Sequence, residues 1–188
     1  EGESAISISV ERFRRQIDWL LSNGFEILTL GRWWEQVRAG GVVAPRTVVL
    51  TFDDGYAGVA THAATILQER GLTGTVFLVT EYIGRTNGYD RAHKPDAVQL
   101  PLMGWDQIQQ LQERGWDFQS HSRSHRDLRG LSEDSLDWET SGSKVALEEA
   151  LNKPVDFFSY PYNQADPRVV QAVARAGYKG AVAYDAMS

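Results

Sequence analysis

Helix-like and strand-like periodicities alternate along this chain, and that alternation constrains its fold more than any other feature. Residues 9–23, SVERFRRQIDWLLSN, set Phe13, Ile17, Leu20 and Leu21 on one helical face, with Ser9 placed as N-cap and Asn23-Gly24 as the stop. A strand is predicted at 25–30 (FEILTL) and a helix at 31–39 ending in Gly40-Gly41. The segment TVVLTF at 47–52 is continuously apolar, as a strand covered on both faces would be. Further strands are predicted at 74–79, 116–120, 155–160 and 179–184, and helices at about 57–70, 105–114, 132–151 and 166–176.

Six strands alternating with six helices imply parallel strands joined by right-handed crossovers. The fold class is therefore α/β, as a doubly wound sheet or as a closed barrel, and periodicity alone leaves both open. A chain of 188 residues without repeat, low-complexity segment or linker fits one domain, residues 1–188. One long irregular stretch, 84–102 (GRTNGYDRAHKPDAVQLPL), separates the third strand from its helix. Loops of that length inside compact domains are usually functional or disordered.

Several function classes drop out on composition. A formal net charge of −6 disfavours a nucleic-acid partner, which would need a basic stripe. No apolar run is long enough for a transmembrane segment, and no signal-peptide pattern opens the sequence. There is no Cys, so any metal must be held by His, Asp or Glu. Six Trp, seven Tyr and seven Phe exceed what the core of such a domain needs, and flat aromatic faces suit pyranose rings, although most of these rings are expected to pack the interior.

Three motifs fall at the C-terminal ends of different strands, where barrels and open parallel sheets both place their sites. TFDDGY (51–56) puts Asp53, Asp54 and Gly55 where the chain turns away from an apolar strand. Alone it would pass for a turn with local side-chain caps. HSRSH (121–125) follows the strand WDFQS, and one helical turn would set His121 and His125 on the same side. FFSYPYN (157–163) ends the fifth strand at Pro161, which cannot donate a ladder bond, and beyond it Tyr162 offers a backbone N–H and a ring. One carboxylate and two imidazoles from nearby strand ends make a two-His-one-carboxylate set suited to Zn²⁺ or another divalent ion.

With TFDDG and HSxxH in this order, the chain resembles the polysaccharide deacetylases of the NodB-homology type, also called carbohydrate esterase family 4, over nearly its whole length. The resemblance implies a distorted (β/α) barrel and hydrolysis of N-acetyl groups on aminosugar polymers such as those of N-acetylglucosamine. It implies a divalent metal, commonly zinc, held by Asp54, His121 and His125, with Asp53 as general base. It also implies the Tyr162 N–H as oxyanion donor, and Tyr160, Pro161 and Tyr162 as the substrate-facing segment. A dication would polarise the acetamide carbonyl and lower the pKa of a bound water, whose proton Asp53 could take. Ser122 could buttress the histidine loop through its hydroxyl.

The sequence departs from the family pattern in four places. Many members have Arg-x-Pro-Tyr in the third motif, the Arg holding the base; here Ser159 stands in that place, which looks more like the branch acting on poly-N-acetylglucosamine and implies an extracellular or envelope substrate. Asn163 replaces the Gly that usually follows the Tyr, and Asn is the residue after Gly best able to take positive φ. No His follows His125, so the family's general acid lacks a match; His93 in the long loop is a substitute, while His62 falls in a predicted helix. The strand that usually precedes the helix at 9–23 is also missing, as in a trimmed piece of a longer protein whose barrel is incomplete. Such a chain is expected to hold metal but deacetylate slowly, or to serve as a metal-retaining carbohydrate-binding domain. Hydrolysis of small cyclic amides on the same fold is a third reading.

Overall fold

Chain order and sheet order coincide, which decides between the two α/β architectures. In the computed structural model, which describes residues 8–92 and 94–184, strands β3 (Thr51–Phe52), β4 (Thr75–Leu78), β5 (Asp117–Ser120), β6 (Phe157–Ser159) and β7 (Gly180–Val182) pair in parallel in the order β3-β4-β5-β6-β7. A doubly wound sheet reverses direction at a switch point. A sheet that advances one strand at a time through right-handed crossovers instead keeps its helices outside and curls. The outcome is a half-barrel of five parallel strands, a distorted and incomplete (β/α) barrel.

The predicted strand at 47–52 is divided. Its first half, β2 (Thr47–Val49), pairs with β1 (Glu26–Leu28), and its second half is β3. Leu50 hands the chain over: its N–H donates to Leu28 and its carbonyl accepts from Thr75. The segment is half-buried rather than covered on both faces, because it stands at the margin of both sheets. The predicted strand at 25–30 is also shorter, since Thr29 turns away to cap helix α2 (Leu30–Arg38) through the Arg32 N–H.

The remaining helices follow the sequence pattern. α1 (Val10–Ser22) is capped by Ser9 and stopped at Gly24, where φ is +73°. α3 (Ala64–Gln68) continues a five-residue π-helical turn, Val59–Ala63. α4 (Trp105–Glu113), α5 (Glu133–Leu151) and α6 (Pro167–Arg175) complete the set. The main core joins Val76, Leu78 and Phe158 of the sheet layer to Leu67, Ile108, Leu136, Leu147 and Val173 of the helices. No helix among the described residues is long and apolar enough to cross a membrane.

Candidate metal centre

The ends of β3, β5 and β6 converge, and each supplies its motif through a backbone turn that an ordinary residue resists. After β3, Asp54 (φ +68°) and Gly55 (φ +76°) are both left-handed. The Gly55 N–H donates to the Asp53 carbonyl, and the Gly55 carbonyl accepts from Met103 at the far end of the long loop. This turn holds the Asp54 carboxylate inward and leaves the Asp53 side chain exposed. No hydrogen bond or ion pair reaches the Asp53 side chain among the described residues.

HSRSH is a loop and not the helical turn that its spacing suggested. Ser122 (φ +63°) and His125 (φ +58°) are left-handed. The loop N–H groups point at side-chain acceptors instead of at carbonyls one turn back. His125 N–H donates to Ser122 Oγ (3.1 Å), while Arg123 and Ser124 N–H both donate to Glu139 Oε2 (2.9 Å each). His121 and His125 are almost fully buried, 3% and 6% exposed.

The orientation of His121 is fixed by its second nitrogen. Nδ1 lies 2.9 Å from the Ser159 carbonyl of β6, and a carbonyl only accepts, so Nδ1 carries the proton. In the neutral ring Nε2 is then a lone pair, and it faces Asp54 Oδ1 at 3.6 Å; His125 Nε2 lies 3.2 Å from the same oxygen. That oxygen is buried and accepts no hydrogen bond among the described residues. Burial pushes the Asp54 carboxyl above its usual range; His121 opposes the shift and the neighbouring Asp53 adds to it. A lone pair aimed at a carboxylate oxygen is unfavourable unless a proton or a metal cation lies between them, and the site has the donor set for a metal cation.

The spacing fits one. Tetrahedral Zn–N and Zn–O bonds of about 2.0–2.2 Å set ligand atoms about 3.3–3.5 Å apart, close to the 3.2 and 3.6 Å from Asp54 Oδ1 to the two imidazole nitrogens, and the three ligand atoms all lie within 4.8 Å of one another. A His whose far nitrogen donates to a carbonyl is also the usual form of a metal ligand.

Phenols wall the site. The Tyr89 ring, 6% exposed, lies 4.3 Å from His125 at an interplanar angle of 33°, and Tyr82 packs edge-on against Tyr89. Tyr162 meets His125 edge-on at 4.6 Å. Burial, with the negative charges of Asp54 and Asp90 behind it, pushes the Tyr56 hydroxyl up to about 12, and the same burial with Asp90 and then Asp54 does so for Tyr162. Tyr89 is raised further, again by burial first and Asp54 next.

The long loop that delivers Tyr89 is ordered around Asn87, which is 3% exposed. Its amide donates to Asp90 (2.5 Å) and to the Val98 carbonyl (3.3 Å), and it accepts the Leu100 N–H (2.6 Å). After β6, Tyr162 (φ +56°) and Asn163 (φ +57°) are consecutive left-handed residues. The Asn163 side chain pairs with both backbone groups of Tyr184, accepting its N–H at 2.8 Å and donating to its carbonyl. The positive φ expected at Asn163 is therefore present, with a second tie to the end of β7. Tyr160 and Pro161 are buried, Tyr160 packing on Phe158, so of the segment 160–162 expected to face substrate only Tyr162 is partly exposed. His62 is exposed on its helix, and His93 lies outside the described residues.

Tyr89, Asn87 and Glu139 escaped the sequence reading. Only Glu139 carried a signal: it falls on the stripe Leu136, Thr140, Ser143, Leu147, Leu151 that α5 buries.

A sequence profile described as polysaccharide deacetylase matches residues 40–181. The poly-β-1,6-N-acetyl-D-glucosamine N-deacetylase of Staphylococcus epidermidis is 27% identical over 180 residues, covering 91% of this chain and 59% of that protein. The chain spans less than two thirds of the length of the curated relatives it matches over most of its own. Among solved structures, IcaB from Ammonifex degensii superposes with a TM-score of 0.82 at 22% identity, covering 95% of this chain and 77% of that one. The Streptococcus pyogenes deacetylase PplD, in complex with acetate, gives 0.78 at 22% identity over 94% and 73%. At these identities the two structures speak for the fold.

Proposed function

This chain belongs to the polysaccharide deacetylase family, and on that premise we propose that it hydrolyses N-acetyl groups on an N-acetylglucosamine-type polysaccharide with a divalent metal ion. We take residues 1–188 as one such domain. The observation that carries the reading is the convergence of the Asp54 carboxylate with His121 and His125, with the His121 lone pair fixed by the Ser159 carbonyl. The nitrogen-rich, thiolate-free donor set favours zinc. The match to a relative named for poly-β-1,6-N-acetyl-D-glucosamine supports the choice of polymer. A polymer too large to cross a membrane would be met outside the cytoplasm, so we propose an extracellular or cell-envelope site of action.

In this reading Asp54, His121 and His125 hold the ion, which when bound polarises the acetamide carbonyl and acidifies a water. Asp53 projects from the same turn into solvent and takes the water's proton. With no histidine matched to the family's acid, Asp53 returns that proton to the leaving amine. The Tyr162 N–H, presented by its left-handed turn, donates to the developing oxyanion. The Tyr162 ring contacts the sugar, while Tyr160 and Pro161 shape the floor below it.

The test is acetate release from N-acetylglucosamine oligomers after chelator treatment, with and without added Zn²⁺, for the wild type and His121→Ala. Zinc-dependent release abolished by His121→Ala is the expected result. Release that survives chelation or His121→Ala overturns the metal reading. Stoichiometric zinc binding without release leaves the carbohydrate-binding alternative.

A further inference from the structure

Glu139 is a carboxylate with no exposure to solvent, and the proposed chemistry makes no use of it. It projects from α5 into the loop between the two histidines. One oxygen accepts the N–H groups of Arg123 and Ser124, and the other accepts the Ser124 hydroxyl. These are two of the three successive N–H donors of a loop bracketed by left-handed residues, Ser122 and His125. Such backbone conformations persist only where the surroundings over-determine them, and buried N–H groups need acceptors. The Arg123 side chain leaves in another direction, towards Glu81 (3.3 Å) and over the Trp138 ring (4.4 Å).

One turn along the same face of α5, Ser143 Oγ lies 2.9 Å from the hydroxyl of Ser120, the last residue of β5. The Tyr178 hydroxyl, donating to the Thr140 carbonyl at 3.0 Å, closes the same buried network. The helix thus grips the strand through Ser143 and the loop that leaves it through Glu139. We infer that Glu139 is a positioning residue: it fixes the 121–125 loop in the one shape that brings His121 and His125 onto a common ion. The inference rests on the metal reading of Asp54, His121 and His125.

The test compares Glu139→Met with Glu139→Gln. Met keeps the length and deletes both carboxylate oxygens, leaving only a weakly accepting sulfur. Gln can keep its carbonyl on the two N–H groups and turn its amide to Ser124 Oγ. Zn²⁺ affinity by chelator competition should fall about 10–100-fold in Glu139→Met, the usual range for losing a group that orients metal ligands, and should recover most of that in Glu139→Gln. The visible absorption of the Co²⁺-loaded protein should change in Glu139→Met and match the wild type in Glu139→Gln. A folded Glu139→Met with lowered thermal stability but unchanged zinc affinity and cobalt spectrum makes Glu139 merely structural and overturns the inference. A wild type that takes up no zinc overturns the metal reading itself. Should Glu139→Met fail to fold, amide exchange in the metal-free wild type decides: Arg123 and Ser124 N–H should be protected like the interior of α5, and exchange at the rate of a solvated loop refutes the clamp.

Discussion

Gly55→Ala should damage both stability and the metal centre, and the structure gives the size of the effect. Gly55 has φ +76°, and a Cβ built there meets Leu78 Cδ2 at 2.7 Å and Met103 Cε at 4.0 Å. A left-handed non-glycine residue costs about 1–2 kcal/mol. Leu78 is 1% exposed and Met103 is also 1% exposed, so neither side chain can swing into open space, and forcing a methyl into a packed core costs about 1–3 kcal/mol. The sum is about 2–5 kcal/mol, which at roughly 2–4 °C per kcal/mol for a domain of this size lowers the melting point by roughly 4–20 °C. The injury does not stay local. Leu78 ends β4, and its carbonyl accepts the His121 N–H at 2.9 Å, while Asp54 is the residue before the added methyl. Pushing Leu78 away from Gly55 moves the proposed ligands Asp54 and His121 apart. Thermal melts in chelator and a zinc titration are the assays. A variant melting within about 1 °C of wild type, with unaltered zinc affinity, would show that neither the clash nor the turn matters as argued.

Two further outcomes are expected. Asp53→Asn should keep zinc while losing turnover by about 10² or more, the loss of a general base, whereas Asp54→Asn should weaken zinc binding; zinc titration with acetate release checks both, and a reversed pattern exchanges the two roles. Burial holds the Tyr178 hydroxyl up at about 12, against about 10 unfolded. Below pH 10 both states keep the proton; between pH 10 and 12 the unfolded chain loses it first, so stability falls as pH rises, by at most about 2.7 kcal/mol at 1.36 kcal/mol per unit. Denaturant melts across that window should show a shallower slope for Tyr178→Phe than for wild type, and parallel curves would reject the assignment.

What could be read from the sequence was local. Ser9, Gly24 and the apolar faces of the helices act within a few residues, and they place the elements correctly. The division of TVVLTF was hidden because it depends on which neighbours stand on each side of Leu50. The positions of Asp54, His121 and His125 at strand ends were visible, yet the device that brings the imidazoles together was misread. A four-residue spacing suggests a helix, but Ser122 and His125 take left-handed conformations, and the loop between them is held by Ser122 Oγ from within and by Glu139 from α5. Glu139 acts across 15 and 16 residues, and Tyr89 reaches His125 from a loop whose order depends on Asn87. No periodicity records contacts of that kind.

The bond from His121 to Ser159 has a consequence for how this sequence can drift. The acceptor is a main-chain oxygen, so every amino acid that keeps the strand path supplies it equally. The side chain at 159 is thereby released from any duty to the imidazole, and the position can exchange an Arg for a Ser without changing the histidine's tautomer. On the proposed reading, an Arg-to-Ser change there removes a partner for the base Asp53 and leaves the proposed ligands Asp54, His121 and His125 in place, so turnover would be tuned or lost long before the metal.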